Sequence, residues 1–150
     1  MNFANIEKAG EINLAKTSRY LAIEEVKAKY QHFLCERGDL VIASSGISFD
    51  TDGFLRTRGA FIQEEHLPLC LNTSTIRFKS KDSNDLIYFK HWLQSFDFRR
   101  QITKLVTGSA QQNFGPSHLK QIKIPLRAIA LKLLQGCEVN NHYPIRPLIA

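Results

Sequence analysis

The chemistry for which this sequence carries the residues is that of cations meeting a polyanion. Residues 76–127 hold ten lysines and arginines against three aspartates, whereas residues 1–75 hold eight against ten acidic groups, within a net charge of +6. No acidic side chain occurs from Phe98 through Cys137. Basic groups that neutralise phosphates release condensed counterions, so this asymmetry points to nucleic acid. An ordinary solvated basic face would give the same pattern. Catalytic spacings, by contrast, are missing. The five histidines (His32, His66, His91, His118, His142) include no i, i+4 pair and no H-E-x-x-H, so no one-face zinc pair arises and no metal site is expected. Neither phosphate-cradling glycine loop, G-x-x-x-x-G-K-[ST] or G-x-G-x-x-G, is present. Glu64 and Glu65 are adjacent, and on a strand they would point to opposite faces rather than form a carboxylate pair. Cys35, Cys70 and Cys137 contain no C-x-x-C, and the first two lie in apolar settings that suit buried thiols. The Asp-Pro-Pro-Tyr or Asn-Pro-Pro-Tyr signature of adenine-N6 methyltransferases is also missing. These residues point away from an enzyme.

The elements that must position the cations follow from length and periodicity. With 150 residues, 43% hydrophobic and 23% charged, a single domain with its own core is expected. No apolar run approaches the ~20 residues of a spanning helix, and the start MNFANIEKAG lacks the basic and apolar segments of a signal peptide. A cytoplasmic, reducing compartment is the expectation. Asn2–Ile6 and Glu11–Leu14 read as short strands around a turn at Lys8–Gly10, and Ile23–Lys29 as a short helix. Leu40–Ala43 reads as a buried strand between Arg37-Gly38-Asp39 and Ser44-Ser45-Gly46. Phe49–Gly59 reads as a hairpin or an exposed loop leading into Ala60–Gln63, and alternation over Leu69–Lys79 predicts another strand. Asp82 or Ser83 caps a helix in which Leu86, Phe89, Leu93 and Phe96 recur at helical spacing. Trp92 and Phe96 are expected in the core with Phe89. A second helix over Phe98–Val106 turns Ile102, Leu105 and Val106 inward and Arg99, Arg100 and Lys104 outward. A polar loop over Thr107–Pro116, a helical turn over Ser117–Gln121 and a strand over Ile122–Leu126 complete the pattern. The expectation is a mixed α/β (α+β) domain with a twisted, largely antiparallel or mixed sheet and short helices.

Several segments also follow one another in a familiar order. Asn2-Phe3-Ala4-Asn5-Ile6 and Gly10-Glu11-Ile12-Asn13-Leu14 fit a strand of the V-x-N-I type and a G-x-I-(D/N)-L turn, followed by Tyr20 and the acidic-basic stretch Glu24–Tyr30. Phe33–Gly46 (FLCERGDLVIASSG) fits φ-x-x-G-D-φ-φ-φ-x-x-x-G, Leu67–Asn72 fits L-P-x-x-x-N, and Tyr88–Ser95 fits Y-φ-x-x-x-L-x-S. After an arginine-bearing stretch, Gly108–Asn113 fits G-S-x-Q-x-N and Leu119–Leu126 (LKQIKIPL) fits L-K-x-I-x-I-P-L. In this order they resemble the target recognition domain of type I restriction–modification specificity subunits.

The resemblance covers residues 1–126 and implies a non-catalytic module that recognises one half-site of double-stranded DNA. It would direct adenine-N6 methylation by methyltransferase (M) subunits and cleavage by a restriction (R) subunit. S-adenosylmethionine and ATP would belong to those partners, and no cofactor to this chain. A second recognition domain or a homodimer would complete the site, and no membrane is involved. In the family, I-P-L leads into P-x-(L/A)-x-x-Q and a long spacer helix that docks the methyltransferase subunits. Here Ile124-Pro125-Leu126 leads into Arg127-Ala128-Ile129 and a tail ending HYPIRPLIA. Residues 127–150 are therefore expected to be a divergent or truncated tail without that helix, with Ile129, Leu131, Leu133 and Leu134 available for self-association. Two other readings stay open: the recognition piece of a fused methyltransferase–endonuclease, and an inactive truncated remnant.

Reading duplex DNA requires forked or amide side chains on exposed loops, because each base pair presents a distinct donor and acceptor pattern in the major groove. The base-reading candidates are Ser44, Ser45, Arg56, Arg58, Lys79, Lys81, Gln111, Gln112 and Asn113. Arg99, Arg100, Lys104, Lys120 and Lys123 suit phosphates, which set register rather than sequence. Plainer readings accompany them: a wet helix face for Arg99 and Arg100, and satisfaction of buried backbone groups for Gln111 or Asn113.

Overall fold

The run Leu40-Val41-Ile42-Ala43 contains no polar residue because the strand it forms, β1 (Leu40–Ala43), is covered on both faces. The computed structural model describes residues 1, 3–7, 9–17, 20–106, 112–125 and 145–147. In it, β1 is the central strand of an antiparallel sheet of order β2-β1-β3, with β2 at Gly59–Phe61 and β3 at Thr75–Phe78. Leu40 pairs with Phe61 and Phe78, Val41 with Ala60 and Arg77, and Ile42 with Gly59 and Ile76. Alternation then splits the apolar side chains between two cores. Leu40 and Ile42 pack against Leu86, Phe89, Leu93, Phe98 and Ile102, while Val41, Ala43 and Ala60 pack against Ile6, Cys35, Ile62, Leu69 and Leu71. The result is a mixed α+β fold, with helices on one face of the sheet and a layer of turns on the other.

The helical layer is built from α2 (Ser83–Trp92), α3 (Phe96–Leu105) and α4 (Pro116–Leu119), α1 being the short helix Ile23–Glu25 in the other layer. The Asp82 carboxylate caps α2 by accepting the Asn84 N–H at 2.9 Å. The Ser95 hydroxyl accepts the Phe98 N–H at 3.2 Å, which starts α3 at Phe96, earlier than its periodicity predicts. That break corrects the placing of Phe96: it is 60% exposed and meets Phe54 edge-on, with ring centroids 5.1 Å apart. Trp92 stays in the core between Phe89 and Phe98. Gln101 docks the strand β4 (Lys123–Pro125) on α3, its Nε2 donating to the Lys123 carbonyl and its Oε1 accepting the Lys123 N–H, both at 2.9 Å. β4 pairs in turn with β5 (Ile145–Pro147). The rest of the tail and residues 107–111 lie outside the described residues.

In the opposite layer, side-chain amides replace strand pairing. The strands expected at Asn2–Ile6 and Glu11–Leu14 reduce to one bridge between Ile6 and Ile12, flanked by 3-10 turns at Phe3–Asn5 and Leu14–Lys16. Buried Asn5 donates from Nδ2 to the Asn13 carbonyl at 2.8 Å and to the Thr17 hydroxyl at 3.2 Å, so the backbone is held without a ladder. Asn72 shortens the strand expected over Leu69–Lys79: its side-chain oxygen accepts the Ser74 N–H at 3.0 Å, and pairing with β1 begins only at Thr75. α1 continues as a π-helical turn over Val26–Tyr30. Arg77, on this face of β3, ties the layer together. Its guanidinium donates to the Leu34 carbonyl and, at 3.0 Å, to the His32 carbonyl, and lies 3.8 Å from the buried Asp39 carboxylate. Among the described residues, no helix is long and apolar enough to cross a membrane.

Candidate nucleic-acid interface

Past the end of β1, residues 47–58 fold back on themselves as a two-stranded ribbon. Phe49 bridges Leu55, the Arg56 N–H bonds to the Ser48 carbonyl at 2.9 Å, and the Asp50 N–H bonds to the Phe54 carbonyl at 2.8 Å. The turn Asp50-Thr51-Asp52-Gly53 closes it. Gly53 takes φ +78°, which favours glycine, and the Asp52 carboxylate accepts the Phe54 N–H at 3.1 Å. On the ribbon's other edge Ile47 bridges Gln112, and the Ser44 carbonyl accepts the Phe114 N–H at 2.9 Å. Residues 112–114 are thereby brought beside the ribbon.

Strand alternation gives the ribbon two different faces. Leu55 is fully buried in the helical core, the Thr57 hydroxyl donates to the Leu93 carbonyl, and a Cβ at Gly59 would come within 3.2 Å of Ile42 Cγ2. Arg56 and Arg58 therefore project from the opposite face, where they line a small hollow with Ala43, Gly46, Ile47 and Ser48. Arg56 is held by Asp50, Nη2 to Oδ1 at 2.7 Å. The half-buried Arg58 makes no side-chain hydrogen bond or ion pair among the described residues. Ser45 and Gln112, both half-buried, and exposed Asn113 lie at this same end of the sheet.

The remaining base-reading candidates are elsewhere. Ser44 is only 4% exposed, and its N–H bonds to the Ser74 carbonyl at 2.9 Å, so it extends the strand and offers no surface to a base. Lys79 and Lys81 follow Phe78, at the opposite end of the sheet. Lys79 pairs with Glu36 at 2.7 Å, and its hydrogen bond holds that carboxyl below its ordinary value. Gln111 lies outside the described residues.

The phosphate candidates also separate. Arg99 does not point outward: its side chain is 15% exposed, 2.6 Å from Asp52 and 3.5 Å from Asp50, with Nε donating to the Leu55 carbonyl at 3.3 Å. It clamps the ribbon turn onto α3 and has little left to offer a phosphate. The bonds from Arg56 and Arg99 hold the Asp50 and Asp52 carboxyls, respectively, below the usual range. Arg100 is exposed and meets Asp97 at 3.2 Å, an i, i+3 contact that solvent screens. Lys104, Lys120 and Lys123 are exposed, with no side-chain partner among the described residues. Gln101 brings Lys123 to α3, Lys104 lies one turn further along the same helix face, and Lys120 ends α4, which packs on α3. These four cations thus share the side formed by α3, α4 and β4.

Asp50, Asp52 and Ser48 were not among the residues expected to matter. The signal for them was the D-T-D-G turn followed by alternation through Leu55, Arg56, Thr57 and Arg58. Elsewhere, burial pushes the Cys35 thiol up to about 11, so it is protonated and poorly nucleophilic at neutral pH. His66 and His118 use Nδ1 to accept the Gln63 and Gly115 N–H groups at 2.9 and 3.0 Å. Among the described residues no group of three or more His, Cys, Asp or Glu is placed to hold a metal ion. Neither a scan against protein-family models nor a search of curated proteins gave a match to this chain.

Proposed function

We propose that this chain is a non-catalytic module that recognises double-stranded DNA by laying the 47–58 ribbon against the major groove. The observation that carries the reading is the ribbon's open face, where Arg58, with no side-chain partner among the described residues, stands beside Arg56, with Asn113 exposed at the same end of the sheet. A two-stranded ribbon fits the major groove, and forked or amide side chains match base edges there. Arg100, Lys104, Lys120 and Lys123, exposed on the helical side, supply the phosphate contacts that dominate affinity and set register.

The order of motifs along residues 1–126 supports a more specific assignment: the partial specificity subunit of a type I restriction–modification system, acting in the cytoplasm. In this reading M subunits bind S-adenosylmethionine and methylate adenine N6, an R subunit uses ATP to drive restriction, and this chain supplies the address. The isolated chain is expected to bind a labelled mixed-sequence duplex at ~10⁻⁴–10⁻⁶ M near physiological salt, measured by fluorescence anisotropy. Replacing Arg100, Lys104, Lys120 and Lys123 with Gln should weaken all duplexes alike. Failure of the unaltered chain to bind any duplex, even at low salt, overturns the proposal.

A further inference from the structure

We infer that Arg58 and Arg56 read two guanines separated by one base pair, and that Asp50 is the positioning residue for Arg56. The inference rests on the DNA-binding reading and makes it specific. Residues i and i+2 of a strand are about 6.6–6.8 Å apart, which matches two base-pair steps of about 3.4 Å each. Arg56 and Arg58 hold that relation on one face of the ribbon, because Leu55, Thr57 and Gly59 between and beside them turn to the helices. Each guanidinium offers the fork that pairs with guanine O6 and N7.

The carboxylates distinguish a base from a phosphate as the target. Asp50 sits 2.7 Å from the Arg56 guanidinium, and Asp52 lies on the same turn, bound to Arg99 at 2.6 Å. A phosphate brought to Arg56 would meet these negative charges, whereas a guanine edge presents neutral acceptors and the repulsion is absent. The bond to Asp50 occupies one N–H of Arg56 and leaves others to pair with a base. It also fixes the side chain before binding, which reduces the ordering cost. Arg58 has no such buttress among the described residues.

The test selects duplexes from a random library with the full chain and with Arg58→Lys, Arg56→Lys and Asp50→Asn. Lysine keeps the charge and removes the fork, so a phosphate contact survives it and guanine readout does not. The unaltered chain should enrich guanine at two positions with one unselected position between them. Arg58→Lys should lower the preference at one of them by roughly 5- to 150-fold. Arg56→Lys and Asp50→Asn should lower the other alone. Because Asp50 also touches Arg99, a merely structural role would weaken both positions together, and that result overturns its assignment. Unchanged preferences in Arg58→Lys, or duplex binding without a guanine pair, overturn the inference while leaving the module a DNA binder. Absence of any duplex binding overturns both.

Discussion

Replacing Thr57 with valine separates the two faces of the ribbon experimentally. Thr57 stands between the two arginines yet faces the helices, where its hydroxyl donates to the Leu93 carbonyl near the end of α2. Thr57 is 8% and Leu93 1% exposed, so no water replaces the lost hydroxyl. Valine has nearly the same shape, and the change therefore isolates one buried acceptor left unpaired, at a cost of about 1–3 kcal/mol. At about 2–4 °C of Tm per kcal/mol for a domain of this size, unfolding should come roughly 2–12 °C earlier. Arg58→Ala removes no bond among the described residues, and its stability should stay within about 0.5 kcal/mol of the parent. Circular dichroism melts and duplex anisotropy, the latter taken well below either Tm, give the two readouts. Thr57→Val should melt early and bind normally, and Arg58→Ala should do the converse. If Thr57→Val is as stable as the parent, or Arg58→Ala is the less stable of the pair, the assignment of faces is wrong.

Three further outcomes follow from the same contacts. Arg77→Leu removes the cation beside the buried Asp39 carboxylate, which keeps only the Glu36 N–H among the described residues, and takes the donor from two backbone carbonyls. Urea unfolding should show a loss of about 3–5 kcal/mol; a loss below about 1 kcal/mol would contradict the cross-link. The Asp50 and Asp52 carboxyls are lowered in the folded state. Their contribution is therefore complete above the unfolded carboxylate value near pH 4 and is lost as pH falls through the lower folded values. Asp50→Asn combined with Asp52→Asn should accordingly flatten the acid-side fall in urea midpoint, and superimposable curves would count against the clamp. With its thiol at about 11 and its side chain buried, Cys35 should resist alkylation at mildly alkaline pH until the protein unfolds. Prompt labelling of the native chain at Cys35, located by mass spectrometry, would refute this.

The parts of the fold legible in the sequence are those set by local signals. β1 could be bounded because an apolar run lies between a Gly-Asp turn and three small residues, and α2 because Asp82 announces its start. The failures share a cause: a side chain bonding to nearby backbone competes with the periodic element. Asn5 and Asn72 do this where strands were expected, and Ser95 does it where one helix becomes two and Phe96 is turned out. Arg99 was misread for a different reason. Its partners Asp50, Asp52 and Leu55 are more than forty residues earlier in the chain, so its helical position alone gave no sign that the ribbon turn would cover it. Of the candidate site, the ribbon arginines and Asn113 were named from residue type, but their separation from Lys79 and Lys81 depends on which end of an antiparallel sheet each strand reaches. Asp50 escaped notice because its importance comes from pairing across the ribbon.

The most direct test of DNA recognition is the salt dependence of duplex affinity. Four exposed cations, Arg100, Lys104, Lys120 and Lys123, are assigned to phosphates, which gives a slope of log K against log salt of roughly −3 to −4. Affinity for a labelled duplex should then fall roughly 100-fold between about 50 and about 200 mM salt, and the variant with all four replaced by Gln should lose most of that slope. An affinity that does not change over this range, or a slope that survives removal of the four charges, would contradict the account.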